Sequence, residues 1–360
     1  MWLFIVGTQL LAVMSSMIFW WLINPKQRYS RISLVLSILV INNIFLIYGL
    51  SEFWRERFHV YLVVSILQGF MLYAGLVTTV IAIIYSQVLK QKLNPIGIRT
   101  FAVAIYLGIV SLAVFNAYSP VVHHLTVKTD KVLAKPMKLA LVSDTHLGRW
   151  FGNRQIDKMV ALIDKQSPDV VLIAGDVMND STAAYDKTNM HEHLSKLKAP
   201  FGVYATLGNH DYSGNEVAIA KAIERAGIQV IDNKSLWLDD AVLLVGRSDA
   251  TDPRRPAAAD LVADIQTDKP VLFLEHSPDA LEEIKELPVD LHLSGHTHGG
   301  QIFPLTVLLK WFTPLVYGFK EVNGSQFLVT SGYGIGAVPF RLGTRSEVWI
   351  INLTGKQPSA

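Results

Sequence analysis

Four long runs without a charged side chain dominate the first third of this 360-residue chain: residues 1–24, 32–50, 60–89 and 101–118. Crossing the hydrocarbon core of a bilayer takes about 20 apolar residues in a helix, and these runs are about that long. A soluble core has little use for four such segments joined by short charged loops. The expectation is therefore a multi-pass, integral-membrane anchor of four helices. The first run has no basic stretch ahead of it and no convincing small-residue cleavage site, which favours a retained helix over a secretory signal. Asn42 and Asn43 interrupt the second run. Hydrogen bonding between helices is their expected role, because no acidic or basic side chain lies within a span to mark a transport path.

Charge divides the chain at the same place. Residues 1–118 carry eight basic and two acidic side chains, leaving 24 basic and 28 acidic for residues 119–360. The net charge of +2 thus reflects loops beside the spans, and no nucleic-acid partner is expected. Cysteine is absent, which excludes disulfides, thiolate nucleophiles and cysteine-type zinc sites. Lys26, Arg28 and Arg31 follow the first run, and Lys90, Lys92 and Arg99 follow the third. The positive-inside rule puts both loops in the cytoplasm and Arg55 and Arg57 outside, so an even number of spans sends the C-terminal part to the external, periplasmic face. Lys128, Lys131, Lys135 and Lys138, crowded after the last run, argue the other way.

Three parts are expected: an anchor over 1–118, a linker over 119–137 that leads into the next domain between Pro120 and Pro136, and a globular domain over 138–360. In the last part short apolar runs alternate with amphipathic stretches. KLALVS, DVVLIAG, FGVYATLG, AVLLVG, PVLFLEH, VDLHLSG, SQFLVTSG and SEVWIIN read as strands, and NRQIDKMVALIDKQ and NEVAIAKAIERAG as helices. Strands alternating with helices predict an α/β domain with layered sheets. Working residues of such folds sit at the carboxyl ends of the strands.

Polar clusters fall at those ends: SDTH with Asp144 and His146, AGDV with Asp176, LGNHD with Asn209, His210 and Asp211, LEHSP with His276, and SGHTHGG with His296 and His298. Singly, each has an ordinary structural reading as a turn, a helix-capping loop or a satisfied polar residue. Together they supply carboxylates, imidazoles and one amide. That donor set suits divalent ions such as Mn²⁺, Fe²⁺ and Zn²⁺.

The ordered series D-x-H, G-D, G-N-H-D, H and G-H-x-H resembles the calcineurin-like metallophosphoesterase superfamily over residues 138–352. The GHTHGGQ ending and the membrane-anchored arrangement are similar to its YkuE-like branch. That branch includes transmembrane proteins with a metallophosphoesterase domain and some UDP-2,3-diacylglucosamine hydrolases of lipid A synthesis. The resemblance implies a four-layer αββα sandwich holding two divalent metal ions. Asp144, His146 and His298 would hold the first ion and Asn209, His276 and His296 the second, with Asp176 bridging. His210 would stand near the leaving-group oxygen as a catalytic residue, with Asp211 orienting it. Such a pair of ions clamps the attacking and leaving oxygens of a phosphoester.

The leading expectation is a membrane-anchored, metal-dependent hydrolase of a phosphoester or pyrophosphate bond in a lipid-linked or envelope substrate, because a tether beside a bilayer favours an amphiphilic molecule. A UDP-2,3-diacylglucosamine-type pyrophosphate is the specific candidate the resemblance suggests. It would be met on the cytoplasmic face, against the orientation read from the loop charges. The alternative is a membrane sensor or scaffold that binds a phosphate ligand at the metal site without turnover. Arg341, Arg345 and Arg149 are either phosphate-binding forks or solvated surface residues. His123, His124, His191, His193 and His292 match no motif position and are expected to be structural or exposed.

Overall fold

The computed structural model describes residues 2–23, 27–50, 60–213, 215–336 and 338–357. Lys26, Arg55 and Arg57, part of the charge pattern behind the expected orientation, lie outside the described residues. The chain forms two compact units, the first running to Phe115 and the second beginning at Asn116.

The first unit is helical: α1 (Trp2–Ile23), α2 (Arg28–Leu50), α3 (Val60–Ile83) and α4 (Pro95–Tyr118). All four contain stretches long and apolar enough to cross a membrane. Their large apolar side chains stay outward, Leu10 58% and Ile47 66% exposed, as expected of helices whose solvent is lipid. Asn43 bonds across helices as expected, its amide pairing with that of Gln9 at 3.0 and 3.1 Å. Asn42 is buried, and its amide nitrogen finds no hydrogen-bond partner among the described residues.

Among the described residues the second unit carries twelve strands: β1 (Val121–Val132), β2 (Met137–Val142), β3 (Val170–Ala174), β4 (Val203–Thr206), β5 (Gln229–Val230), β6 (Lys234–Leu238), β7 (Val242–Gly246), β8 (Val271–Leu274), β9 (Leu291–Ser294), β10 (Gly318–Val322), β11 (Ser325–Val329) and β12 (Glu347–Lys356). They form two six-stranded sheets, ordered β1-β12-β2-β3-β4-β5 and β10-β11-β9-β8-β7-β6. The period-two alternation of side chains builds the layers. In β3, Val170 and Leu172 face the core between the sheets, whereas Val171 and Ile173 face helices. In β8, Leu272 and Leu274 join that central core while Val271 and Phe273 face the opposite helical layer. These strands are buried on both faces, so they read as continuous apolar runs. Helix Asn153–Asp164 covers the first sheet with Ile156, Met159, Val160 and Ile163, the spacing of one helical face. Helix Glu216–Arg225, capped by the Asn215 side chain accepting from the Ala218 N–H, adds Ile219, Ala222 and Ile223. The result is the expected αββα layering.

The stretch 119–137 is not a linker. Most of it is β1, the edge strand of the first sheet, which pairs in parallel with β12. Its sequence, VVHHLTVKTDKV, hides this because only Val127 is fully buried. Edge strands carry polar and basic side chains that blunt further pairing. Two of the four lysines of this region are engaged by the fold: Lys131 Nζ donates to the Thr267 carbonyl and Lys138 Nζ to that of Gln166, whereas Lys128 and Lys135 are exposed.

Parallel pairing of β2, β3 and β4, and of β7, β8 and β9, aligns their carboxyl ends. The five clusters singled out in the sequence follow β2, β3, β4, β8 and β9.

Candidate metal centre

The loops are locked together before any side chain is considered. Asp144 N–H donates to the Gly175 carbonyl, His146 N–H to that of Asp176, and Gly295 N–H to that of His276, all within 3.0 Å. Asp144, His146, Asp176, His296 and His298 hold positive φ, from 43° to 68°. Non-glycine residues pay about 1–3 kcal/mol each for such backbone, and it concentrates at functional sites. Two glycines make the close approach possible. A Cβ at Gly208 would stand 2.2 Å from Asp176 Oδ1, and one at Gly295 only 1.9 Å from Ser143 Oγ.

Asp144 is wholly buried, and its two oxygens have different surroundings. Oδ2 accepts from Ser143 Oγ at 2.6 Å and from the His296 N–H at 3.0 Å. Oδ1 is buried with no hydrogen-bond partner, and it lies 3.5 Å from His298 Nε2 and 3.9 Å from His146 Nε2. Those two imidazole nitrogens are themselves 3.1 Å apart. On the other side, His276 Nε2 stands 3.1 Å from Asn209 Oδ1 and 3.1 Å from His296 Nδ1. His276 Nδ1 lies 2.8 Å from the Ala174 carbonyl, so the ring is held with Nε2 facing the cluster. Asp176 lies between the two groups. Its Oδ2 is 3.2 Å from His276 Nε2 and 3.6 Å from His146 Nε2, and its Oδ1 accepts from the His210 N–H at 2.9 Å.

Asp144, His146 and His298, and likewise Asp144, Asp176 and His276, present atoms close enough to share an ion; so do His146, Asp176 and His210. An unpartnered buried carboxylate oxygen is costly. Imidazoles, carboxylates and one amide converging around it make a fitting donor set for a pair of divalent cations. Burial also pulls His298 down to about 3, against the attraction of Asp144, which keeps its ring neutral as a ligand must be.

His210 is brought to the cluster, its ring 4.9 Å from that of His146, but Asp211 does not orient it. The carboxylate of Asp211 is fully buried and accepts from the backbone N–H groups of Val177, Met178 and Gly208, so it pins the β3 and β4 loops together. The partner of His210 is Asp180, whose Oδ1 lies 2.7 Å from His210 Nδ1. This hydrogen bond raises the imidazole's pKa above its ordinary value, against the opposing effect of burial. The sequence signal for Asp180 was an acid four residues beyond Asp176, in GDVMND. His210→Ala is expected to slow turnover by about 10²–10³-fold while metal content stays at the wild-type level. Asp180→Asn should cost about tenfold. If His210 acts while protonated, a lowered pKa moves the alkaline loss of kcat to lower pH. Loss of metal in His210→Ala, measured by elemental analysis, would make His210 a ligand instead.

The arginines divide. Arg341 is neither solvated nor open to a phosphate; it is 0% exposed and donates to the carbonyls of Ser331, Gly332 and Gly334. Arg345 Nε donates to the Ser119 carbonyl, and Arg149 is exposed. His292 is structural, its Nε2 2.9 Å from Glu275 Oε1, and Glu275 is also held by Arg255 at 2.7 Å. His193 pairs with Asp157, His123 stacks on Trp349, His191 is half-buried and His124 exposed.

Residues 137–300 match the calcineurin-like phosphoesterase family. An uncharacterized metallophosphoesterase of Campylobacter jejuni is 30% identical over 266 residues, covering 70% of this chain and 70% of that protein. A transmembrane protein with metallophosphoesterase domain from Danio rerio is 31% identical over 237 residues, 61% of this chain; the match spans 53% of the fish protein. The uncharacterized metallophosphoesterase YkuE of Bacillus subtilis is 27% identical over 239 residues, 60% of this chain and 78% of its own.

Proposed function

This chain belongs to the calcineurin-like metallophosphoesterase family, and from that premise we propose that it is a membrane-anchored, dinuclear metal-dependent hydrolase. The bond cut is a phosphoester or pyrophosphate in a lipid-linked or envelope substrate. The observation that carries the reading is Asp144 Oδ1, a buried carboxylate oxygen without a donor that faces two imidazole nitrogens. Asp144, His146 and His298 would hold one ion and Asn209, His276 and His296 the other, with Asp176 shared. Mn²⁺, Fe²⁺ and Zn²⁺ all suit these donors. When bound, a pair of divalent ions polarises the phosphoryl group and makes water a competent nucleophile near neutral pH.

The protein's own groups supply the rest. Asp180 holds His210 Nδ1, which leaves Nε2 to give a proton to the departing oxygen. Asp211 and Ser143 keep the ligand loops in register. The domain boundaries fit this division of labour, with an anchor to about residue 118 and the hydrolase beyond it. The catalytic domain would lie on the external face; that Lys131 and Lys138 hydrogen-bond within the folded domain, and that a large domain is translocated largely regardless of its charge, supports this reading.

Full-length protein in detergent, supplied with Mn²⁺, is expected to hydrolyse bis(p-nitrophenyl) phosphate or a lipid phosphate while binding a pair of ions per chain. A pair of bound ions with every substrate left intact, UDP-2,3-diacylglucosamine included, would replace this reading with the phosphate-binding sensor. A reporter fused to the C-terminus separates the substrate arms. Activity outside the cell selects envelope phosphates, and activity inside selects the UDP-linked lipid.

A further inference from the structure

Among the described residues of the second unit, exposed apolar side chains concentrate between residues 303 and 319. Phe303, Leu305 and Val307 stand 41%, 52% and 45% exposed, and Trp311 and Phe312 reach 73% and 80%. A soluble surface does not normally carry so contiguous an apolar patch unless something covers it. The segment, FPLTVLLKWFTPLVYGF, contains one charged residue, Lys310, and no acid.

The segment is not a loose excursion. Phe303 N–H donates to the Leu342 carbonyl at 2.7 Å, and Thr297 Oγ1 donates to the Val316 carbonyl at 2.6 Å. A Cβ on Gly300 would stand 2.6 Å from the Thr306 backbone nitrogen, so the metal-ligand loop and the patch are packed in direct contact. Thr297 lies between His296 and His298, which ties the apolar segment to one end of the candidate centre.

We propose that residues 303–319 insert into the interfacial zone of the bilayer and hold the catalytic loops against the headgroups. Three observations select a bilayer as the occupant. Only Ser119 and Pro120 separate α4 from β1, and at about 3.5 Å per residue such a connection keeps the domain beside the membrane whichever face it occupies. Aromatic side chains with a single lysine are the composition that settles at headgroup depth, where the rings are half immersed and the ammonium reaches water. The absence of acids and the presence of Lys310 also complement anionic lipid. The consequence, that a lipid-linked phosphate meets His296 and His298 without leaving its membrane, rests on the phosphoesterase reading above. Insertion itself does not.

The chain has no cysteine, so single-cysteine variants of the full-length protein can carry an environment-sensitive fluorophore. Phe312→Cys and Trp311→Cys are compared with Val217→Cys, an exposed apolar position on a helix elsewhere in the domain. All are reconstituted into vesicles of phosphatidylethanolamine and phosphatidylglycerol. Insertion predicts a blue-shifted emission at both patch positions and quenching by nitroxide-labelled lipid about fivefold above the Val217→Cys control. Labels at both positions quenched no more than the control overturn the proposal. So does a blue shift without lipid quenching accompanied by cysteine cross-linking between chains, which would assign the patch to a second copy. Because the measurement needs no turnover, quenching in a protein that hydrolyses nothing would sink the enzymatic reading and leave the insertion standing.

Discussion

Asp176→Ala is expected to lower phosphodiester hydrolysis by at least about 10³-fold, a loss of about 4 kcal/mol of transition-state stabilisation. One carboxylate here serves both halves of the ligand cluster, since its Oδ2 stands within 3.6 Å of both His276 Nε2 and His146 Nε2. Asp144 is the other carboxylate at the cluster, but its Oδ2 is committed to Ser143 and the His296 N–H and its Oδ1 faces His146 and His298. Metal linkage gives a second readout independent of turnover. An ion that binds only the folded state stabilises it by about 2.7 kcal/mol at a hundred times its Kd. Added Mn²⁺ should therefore raise the melting temperature of the wild-type protein and leave that of Asp176→Ala nearly unmoved. Without metal the variant should be somewhat less stable than the wild type: burial opposes the Asp176 charge, but the imidazoles of His276 and His146 outweigh it and hold the carboxyl below its ordinary range, and alanine also removes the acceptor of the His210 N–H. Near-normal turnover, or an undiminished Mn²⁺ shift, would remove Asp176 from between the ions.

The strand ends were legible in the sequence because two periodicities meet there. A run such as DVVLIAGD is apolar while it is buried on both faces and becomes polar where the chain leaves the sheet, so Asp176 is marked by the switch itself. The same logic found Asp144, Asn209, His276 and His296. It failed where position depends on a loop path. Asp211 follows His210 directly, yet its carboxylate turns inward to three backbone N–H groups, while Asp180, thirty residues earlier, reaches His210. Asp180 itself sits at a φ of 63°, a reversal that no local pattern announces. β1 escaped because an edge strand need not alternate cleanly.

Arg341 shows the same limit from the energetic side, and it carries the largest expected effect on stability. As a residue type in a Gly-rich tail it suggested a phosphate fork or a solvated surface. The structure closes the guanidinium inside the domain, where Nε donates to Gly334, Nη1 to Thr344 Oγ1, and Nη2 to the carbonyls of Ser331, Gly332 and Gly334. Nη2 is also 3.3 Å from His298 Nδ1, on the side of the ring away from the cluster. Burial draws the guanidinium down to about 10, with Glu347 and Asp144 opposing, and it remains a cation at neutral pH. Arg341→Ala would strand the carbonyls of Ser331 and Gly334, open a cavity and remove a buried cation beside Glu347. The expected cost is about 3–5 kcal/mol. Arg341→Lys keeps the charge but cannot form the planar fork, so it should recover only part of that loss. Thermal unfolding of metal-free protein measures this directly. The phosphate-fork reading predicts the reverse pattern: an unchanged melting temperature with a raised KM for substrate. That outcome would return Arg341 to the substrate.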